Sequence, residues 1–476
     1  MASELALLLH NARDFARASD HFLQAARNAA RVYAYPEALA LSQRAIADAE
    51  RLPGPERHPR VLAAALEMGP LYQAMTRLDD AIAAFDIAER AACESSDRDA
   101  QINAICNKAS VLFFCKKLAA EAQEHGERAF ELARLLGSNT AMASSEFILA
   151  CTRWCAGEIA EADALFDRAI PVLCRSGPPL LTVTAVSFRG SIHAMLSQYD
   201  DAERALDWSD SRARELGDSY NRLRSLFHKG RVLGNRGRIS DALDVLDEAT
   251  RLAERIGNCN WPPRLRNTQA WLLWEAQDLE TALRLDTEAA RMAREFGDVE
   301  SKCNCHINLA RDYLALGEPA RALEHLRQAE PLRSTDFWFR WVYHPRFQGE
   351  LASYWITQGD LNQAGVHAAV SLEGKNPKRK AWAHKLRGDI AVLEGRVEDA
   401  GREYDAALRL IEQFPCPTIE WRILKAAADL ADWRRDVSTR DGLRARALAV
   451  VRSLALSVRE KSLRRTFLSS KAIREV

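Results

Sequence analysis

Glycine and proline are scarce, 22 and 16 in 476 residues, below average usages of about 7% and 5%. So long a chain with so few turn residues has few turns, and therefore long helices. An excess of charge of one sign is missing too, since 66 Lys and Arg balance 66 Asp and Glu. That excludes a protein coating nucleic acid or an anionic membrane with its whole surface. No stretch approaches about 18 uninterrupted apolar residues, so no transmembrane helix is expected. With 47% hydrophobic and 28% charged residues, the composition is globular and not disordered.

Ten cysteines are a small fraction of this length, and nothing marks them as a disulfide framework. The start Met1-Ala2-Ser3-Glu4 is acidic where a secretory signal needs positive charge, and its apolar run, Leu5 to Leu9, is short. A reducing, cytoplasmic setting is expected. Catalytic signatures are also missing. There is no G-x-x-x-x-G-K-[ST], no H-E-x-x-H and no G-x-S-x-G. Gly230 to Gly237 comes nearest to a phosphate loop, but it lacks the lysine and falls on the repeat's own glycine positions. No enzyme activity, cofactor or metal is expected.

What the chain does have is a period. Gly137, Gly177, Gly217, Gly257 and Gly297 stand 40 residues apart, mostly after alanine-rich runs ending in Arg or Glu. A glycine there fits a helix C-cap, because it takes positive φ without steric cost. Gly157, Gly237 and Gly317 lie midway and mark the turn inside each repeat. Ala122, Ala162, Ala202, Ala242, Ala282 and Ala322 share the period, and Ala38, Ala81, Ala364 and Ala400 extend it at slightly uneven steps. Seven residues after every one of these anchors, and twelve before it, comes another small residue. Small residues at i and i+7 lie on one helix stripe, where a neighbouring helix can come close. Each repeat is therefore a helical hairpin whose apolar side only the next hairpin can cover. A continuous stack replaces the roughly three ordinary domains that length alone suggests.

The pattern resembles the tetratricopeptide repeat. Met68-Gly69, Tyr72, Ala81, Phe85 and Ala88 carry it best. Leu149-Ala150 with Ala162, Phe166 and Ala169 repeats it, as does Leu309-Ala310 with Tyr313, Ala322, Leu326 and Ala329. The family's usual period is about 34, so 40 is a departure. The expected fold is all-α: a right-handed α-solenoid of about eleven helical hairpins with a C-terminal capping helix. Repeats one to ten fill 1–413. A degenerate final hairpin and a cap fill 414–476, with Leu463, Phe467 and Leu468 on one face.

The resemblance implies that the first helix of each repeat lines a concave surface, at positions eighteen, fifteen, eleven, eight and seven before the anchor. These positions hold Arg224, Arg264, Asn304 and Arg346; then Phe227, Asn267 and Lys385; then Arg231, Trp271 and Arg311; then Trp274. Acidic residues there are few: Asp20, Glu275 and Asp389. A basic, aromatic strip in a neutral protein is expected to bind an extended or helical acidic peptide, since arginine pairs bidentately with carboxylates and phosphates. The alternative is that these arginines are solvated or paired with nearby carboxylates.

Three other clusters remain. Asp336 to His344 holds Trp338, Trp341 and Tyr343 among six aromatic rings, His344 included, either a hydrophobic plug between repeats or a docking patch. Gly374 to Lys380 is a basic loop, expected to be an ordinary solvated turn. Cys303 and His306 share a helix face and are half of a soft-metal site, but cysteine as a small apolar filler explains this and the other repeat-register cysteines better.

The segment His21 to Ile46, with Tyr33-Ala34-Tyr35-Pro36, and the ending Leu463 to Leu468 with Ile473-Arg474-Glu475, are similar to the C-terminal repeat arms of bacterial AAA- or STAND-type signalling ATPases and nucleotide cyclases. That resemblance implies a scaffold or sensor arm in bacterial signalling that binds protein or peptide partners, with no catalysis. Two alternatives are a peptide- or ligand-responsive regulator, and the separated C-terminal part of an ATPase or cyclase whose catalytic module is encoded elsewhere. Neither nucleic acid nor membrane is expected as a partner.

Overall fold

The computed structural model describes residues 2–334 and 337–476; Asp336, at the head of the aromatic segment, lies outside them. Among the described residues there are helices and turns and no strand. After α1 (Ala2–Asn11) come eleven hairpins. The first five are α2 (Phe15–Arg31) with α3 (Tyr35–Ala49), α4 (Gly54–Ala74) with α5 (Leu78–Glu94), α6 (Arg98–Phe114) with α7 (Ala119–Leu136), α8 (Asn139–Ala156) with α9 (Ile159–Ser176), and α10 (Pro179–Met195) with α11 (Tyr199–Leu216). Then follow α12 (Ser219–Asn235) with α13 (Ile239–Arg255), α14 (Pro262–Glu275) with α15 (Leu279–Phe296), and α16 (Val299–Ala315) with α17 (Pro319–Gln328). The last three are α18 (Arg340–Gln358) with α19 (Leu361–Leu372), α20 (Pro377–Leu393) with α21 (Val397–Gln413), and α22 (Pro417–Trp433) with α23 (Val437–Ser457). The short α24 (Lys461–Ser469) and α25 (Lys471–Arg474) follow. The chain is an all-α solenoid of helical hairpins, as the period predicts.

The thirty small residues that carry the period are all buried, and their reason is steric. A Cβ on Gly69, twelve before its anchor, would stand 2.3 Å from Phe85 Cζ; one on Gly388 would stand 2.4 Å from Tyr404 Cε1. Phe85 and Tyr404 each lie four residues after their anchor. A large ring on the second helix fills the notch left by a small residue on the first.

The turn inside each hairpin is equally regular. The residue five before every anchor has positive φ, whatever its type: Gly157 (85°), Gly237 (77°) and Gly317 (76°), but also Lys117 (63°) and Gln277 (64°). At the other turn, Gly137, Gly217, Gly257 and Gly297 are left-handed as expected. Gly177 is not: it is extended, at φ −75° and ψ 163°. Pro178 follows it, and the residue before a proline is forced toward extended backbone. The C-terminal face also differs in part. Leu463 and Phe467 are buried, with Phe467 and Ile473 packing on Trp421, Val451 and Leu454. Leu468 is 45% exposed, because α24 is only two turns long and offers a single buried stripe.

Two compact units are distinguished: Met1–Arg189 with Ala205–Ser225 and Leu252–Cys259, and Gly190–Arg204 with Leu226–Arg251 and Asn260–Val476. In the first, Phe113, Phe114, Phe147, Phe166 and Phe188 form an aromatic core. Within it Tyr35 Oη donates to the Gly217 carbonyl at 3.0 Å, and Asn258 Nδ2 to the Ala74 carbonyl at 2.8 Å. These partners are 182 and 184 residues apart, about four and a half repeats, so the stack coils until it meets itself. The second unit closes in the same way. Asn376 Nδ2 donates to the Met195 carbonyl, Lys378 Nζ to Asn235 Oδ1 at 2.7 Å, and the Arg459 amide to Ser240 Oγ at 2.9 Å.

Candidate binding cavity

Inside the second unit, the first helices of six successive hairpins enclose a cavity of about 110 Å³. Sixteen residues line it. Four are cations (Arg231, Arg346, Lys378, Arg379), five are asparagines (Asn235, Asn267, Asn304, Asn308, Asn376), and none is a carboxylate. Phe227, Trp271 and Tyr343 supply ring surface. Arg346 is held by two hydrogen bonds, from Nη1 to Asn304 Oδ1 and from Nη2 to Asn308 Oδ1, while its Nε is buried without a partner. Arg231 stacks over Phe227 at 5.6 Å. Lys378 lies over the Trp271 ring at 4.7 Å.

The asparagines form a chain. Asn304 Nδ2 donates to Asn267 Oδ1 at 2.7 Å, and Asn267 Nδ2 to Asp286 Oδ1 at 2.7 Å. Asn308 Nδ2 also reaches Asp286 Oδ1, at 3.1 Å. Burial, then the nearby Asp312, raises Asp286 well above the usual carboxylate range. The cations respond in the opposite sense. Burial, reinforced by Arg379 and Arg311, pushes Arg346 down to about 9. Burial also lowers Arg231, Arg379 and Lys378. Glu300, Glu350, Asp286 and Glu275 act on these cations in the opposite sense without pairing with them, and burial outweighs that support.

The structure divides the eleven strip residues. Phe227, Arg231, Asn267, Trp271, Asn304 and Arg346 line the cavity together. Arg264, Arg311 and Lys385 are instead paired: Arg264 with Asp298 and Glu300, each at 2.7 Å, Arg311 with Asp312 at 2.9 Å, and Lys385 with Asp389 at 2.6 Å. Burial opposes the charge on Arg264, but Asp298 and Glu300 override it and raise the group. Arg311 and Arg422 each lie over the Trp274 ring, at 4.4 Å and 4.6 Å, and Arg422 pairs with Glu275 at 2.7 Å. Arg224 belongs to the other unit, where its guanidinium lies 4.0 Å from the centre of Phe114 and 5.1 Å from that of Tyr220.

Lys378 and Arg379 overturn the expectation of a solvated basic loop. Asn376 caps α20 by accepting from the Arg379 amide at 3.0 Å, and the first turn of that helix turns both cations inward. Lys378 is 7% exposed. The N-P pair at 376–377 is a helix-start signal that could have placed them.

The aromatic segment is partly buried. Phe339 is 2% exposed and lies 4.4 Å from Trp338 and 6.3 Å from Trp341, between ring centres. Tyr343 lines the cavity and donates to Glu300, and with Phe337 it packs on the core around Phe347. Cys303 and His306 are buried, and His306 Nδ1 faces His325 Nδ1 at 3.0 Å. Cys106, Cys151, Cys305 and Cys416 are buried fillers, but Cys93, Cys174 and Cys259 are exposed, which corrects the filler reading for the repeat-register pair Cys93 and Cys174. Among the described residues no group of three or more His, Cys, Asp and Glu is placed to hold a metal ion, and no helix is long and apolar enough to cross a membrane.

The tetratricopeptide repeat profile matches residues 264–335. No curated protein matches the chain. Among solved structures, a Rap protein complexed with competence and sporulation factor superposes with a TM-score of 0.59 at 12% identity, covering 75% of this chain and 99% of that one. NprR with its cognate peptide NprX gives 0.42 at 16% identity, covering 61% and 84%. A signal-transduction ATPase with numerous domains and a tetratricopeptide repeat sensor, from Pyrococcus horikoshii, gives 0.41 at 13% identity, covering 86% and 55%. Residues 264–335 thus match the tetratricopeptide repeat, within an all-helical fold that the Rap protein shares.

Proposed function

We propose that this protein is a non-catalytic regulatory binding protein of the cytoplasm, which captures a peptide or protein segment bearing negative charge in the cavity of its second unit. The observation that carries this is the composition of the wall: four cations, five asparagines and no carboxylate. Asparagine side chains offer both a donor and an acceptor, the complement of a peptide backbone. The Rap protein of the same fold was solved with competence and sporulation factor, a use of the fold in keeping with this proposal. Screening arrayed acidic peptides against the whole chain tests it. Wild type should retain a subset, and the Arg231→Ala/Arg379→Ala variant should bind these about tenfold or more weakly. Equal retention by both proteins overturns it.

A responsive regulator is the second proposal, favoured by one observation. Lys378–Asn235 and Asn376–Met195 both line the cavity and both join parts of the coil far apart in sequence. A ligand there acts directly on the joint that sets the pitch of the unit. A peptide from the screen should shift the small-angle scattering radius; an unchanged radius leaves plain capture. Co-purification with an ATPase or cyclase module encoded nearby would identify the chain as the separated arm of such a protein.

A further inference from the structure

Three guanidinium groups and an ammonium share one small cavity whose wall holds no carboxylate; Glu350, Glu300 and Glu275 act on them from outside that wall and form no ion pair with them. Arg231 of α12 and Arg379 of α20 have no hydrogen-bond or ion-pair partner for their side chains among the described residues. Arg346 of α18 meets only neutral asparagine oxygens, and its Nε is unpartnered. Lys378 meets the neutral Asn235 oxygen. Each buried cation is costly without an anion, and the lowering of all four is the sign of that cost. The α20 N-terminus at the same wall adds the positive end of its dipole.

The size and the donor count narrow the ligand. A volume of about 110 Å³ is well below the roughly 300–1,000 Å³ that encloses a whole small ligand, so the cavity takes a head group. A carboxylate brings one charge and two oxygens, which one guanidinium fork satisfies. Three forks from three helices exceed it. A phosphoryl monoester brings three terminal oxygens and a charge of about −1.5 to −2 near neutral pH.

We propose that the cavity is a receptor for a phosphoryl group, with Arg231, Arg346 and Arg379 as its fork donors and Lys378 as the fourth positive charge. This rests on the reading of the cavity as a binding site and specifies what it recognises. A phosphorylated side chain of a protein partner and a small phosphate ester present the same chemistry.

Calorimetric titration of the whole chain distinguishes the cases. The probes are O-phosphoserine, a short peptide with one phosphoserine, and the same peptide with glutamate in its place. The phosphopeptide should bind about tenfold or more tightly than its glutamate form. Arg231→Lys and Arg379→Lys, which keep charge and lose the fork, should each weaken it about as much. If a lysine variant fails to fold, displacement of bound O-phosphoserine from wild type by inorganic phosphate but not by acetate carries the same test. Equal affinity for the two peptides overturns the phosphoryl proposal and leaves acidic-peptide capture standing. O-phosphoserine binding as tightly as the phosphopeptide supports the phosphoryl proposal with a small ester as its source, and overturns peptide capture. Binding of no phosphoryl probe overturns the proposal outright.

Discussion

Lys378 Nζ lies 2.7 Å from Asn235 Oδ1 and 4.7 Å from the centre of the Trp271 ring, so one buried ammonium ties three hairpins together. The two ends of this contact should not be equivalent. Asn235→Leu leaves the ammonium buried without its acceptor, which costs about 1–3 kcal/mol. Lys378→Met keeps the length and the contact with Trp271 while removing a cation from a site already short of anions. Urea denaturation should rank Asn235→Leu as clearly less stable than Lys378→Met. The reverse order would mean that the ammonium finds another acceptor.

The left-handed residue five before each anchor gives a second test. Gln277 (φ 64°) and Lys117 (φ 63°) occupy a conformation that costs a residue with a Cβ about 1–2 kcal/mol. Gln277→Gly and Lys117→Gly should each raise the stability read from denaturation, by up to about 1 kcal/mol. Gly317→Ala should lower it by a similar amount. A Cβ there meets nothing within 4 Å, so the loss would report backbone strain alone.

The fold was legible because its determinants recur. A notch for a ring and a left-handed turn appear in every repeat, and a 40-residue period exposes both. The cavity was half legible, for a geometric reason. Its wall crosses the helices on a diagonal: Asn235 lies seven before its anchor, Trp271 eleven, Asn308 fourteen, Arg346 eighteen and Arg379 twenty-one. In a coiled stack, a cavity at one height meets each successive first helix nearer its start. A fixed set of positions applied to every repeat therefore finds Phe227, Arg231 and Trp271 but includes Lys385, and stops short of Lys378 and Arg379. Pairing is the other invisible quantity. Arg264 and Arg231 look alike as text, and only packing shows that one pairs with two carboxylates and the other with none.

His306 should make stability depend on pH. Burial first, then His325, Lys302 and Arg294, lower it from 6.5 to about 4. The folded form therefore holds this imidazole neutral at pH values where the unfolded chain protonates it. The unfolded state binds more protons between those limits, so stability falls as pH drops from about 6.5 toward 4 and is fully present above 6.5. His325 is lowered too, first by burial, and adds to the same slope. Denaturation midpoints of wild type and His306→Gln across that window should converge as pH falls. Parallel curves would mean that His306 is not the source.

Arg264 and Arg231 allow the sharpest separation of structure from binding. Arg264 bonds Asp298 and Glu300 at 2.7 Å each, and the side chains of all three are at most 10% exposed. Arg264→Gln strands two buried carboxylates and should cost about 3–5 kcal/mol. Arg231 has no such partner, so Arg231→Gln removes a desolvated charge and strands nothing. Its stability should be unchanged or higher, by about 1 kcal/mol, while its affinity for a retained acidic peptide falls about tenfold or more. A residue kept for packing loses stability on removal. A residue kept for a ligand loses only the ligand, because the folded chain has been carrying its unpaired charge at a cost. Thermal denaturation and peptide titration of the two variants side by side decide the matter. If Arg231→Gln unfolds as readily as Arg264→Gln, the cavity cation is structural and the binding assignment fails with it.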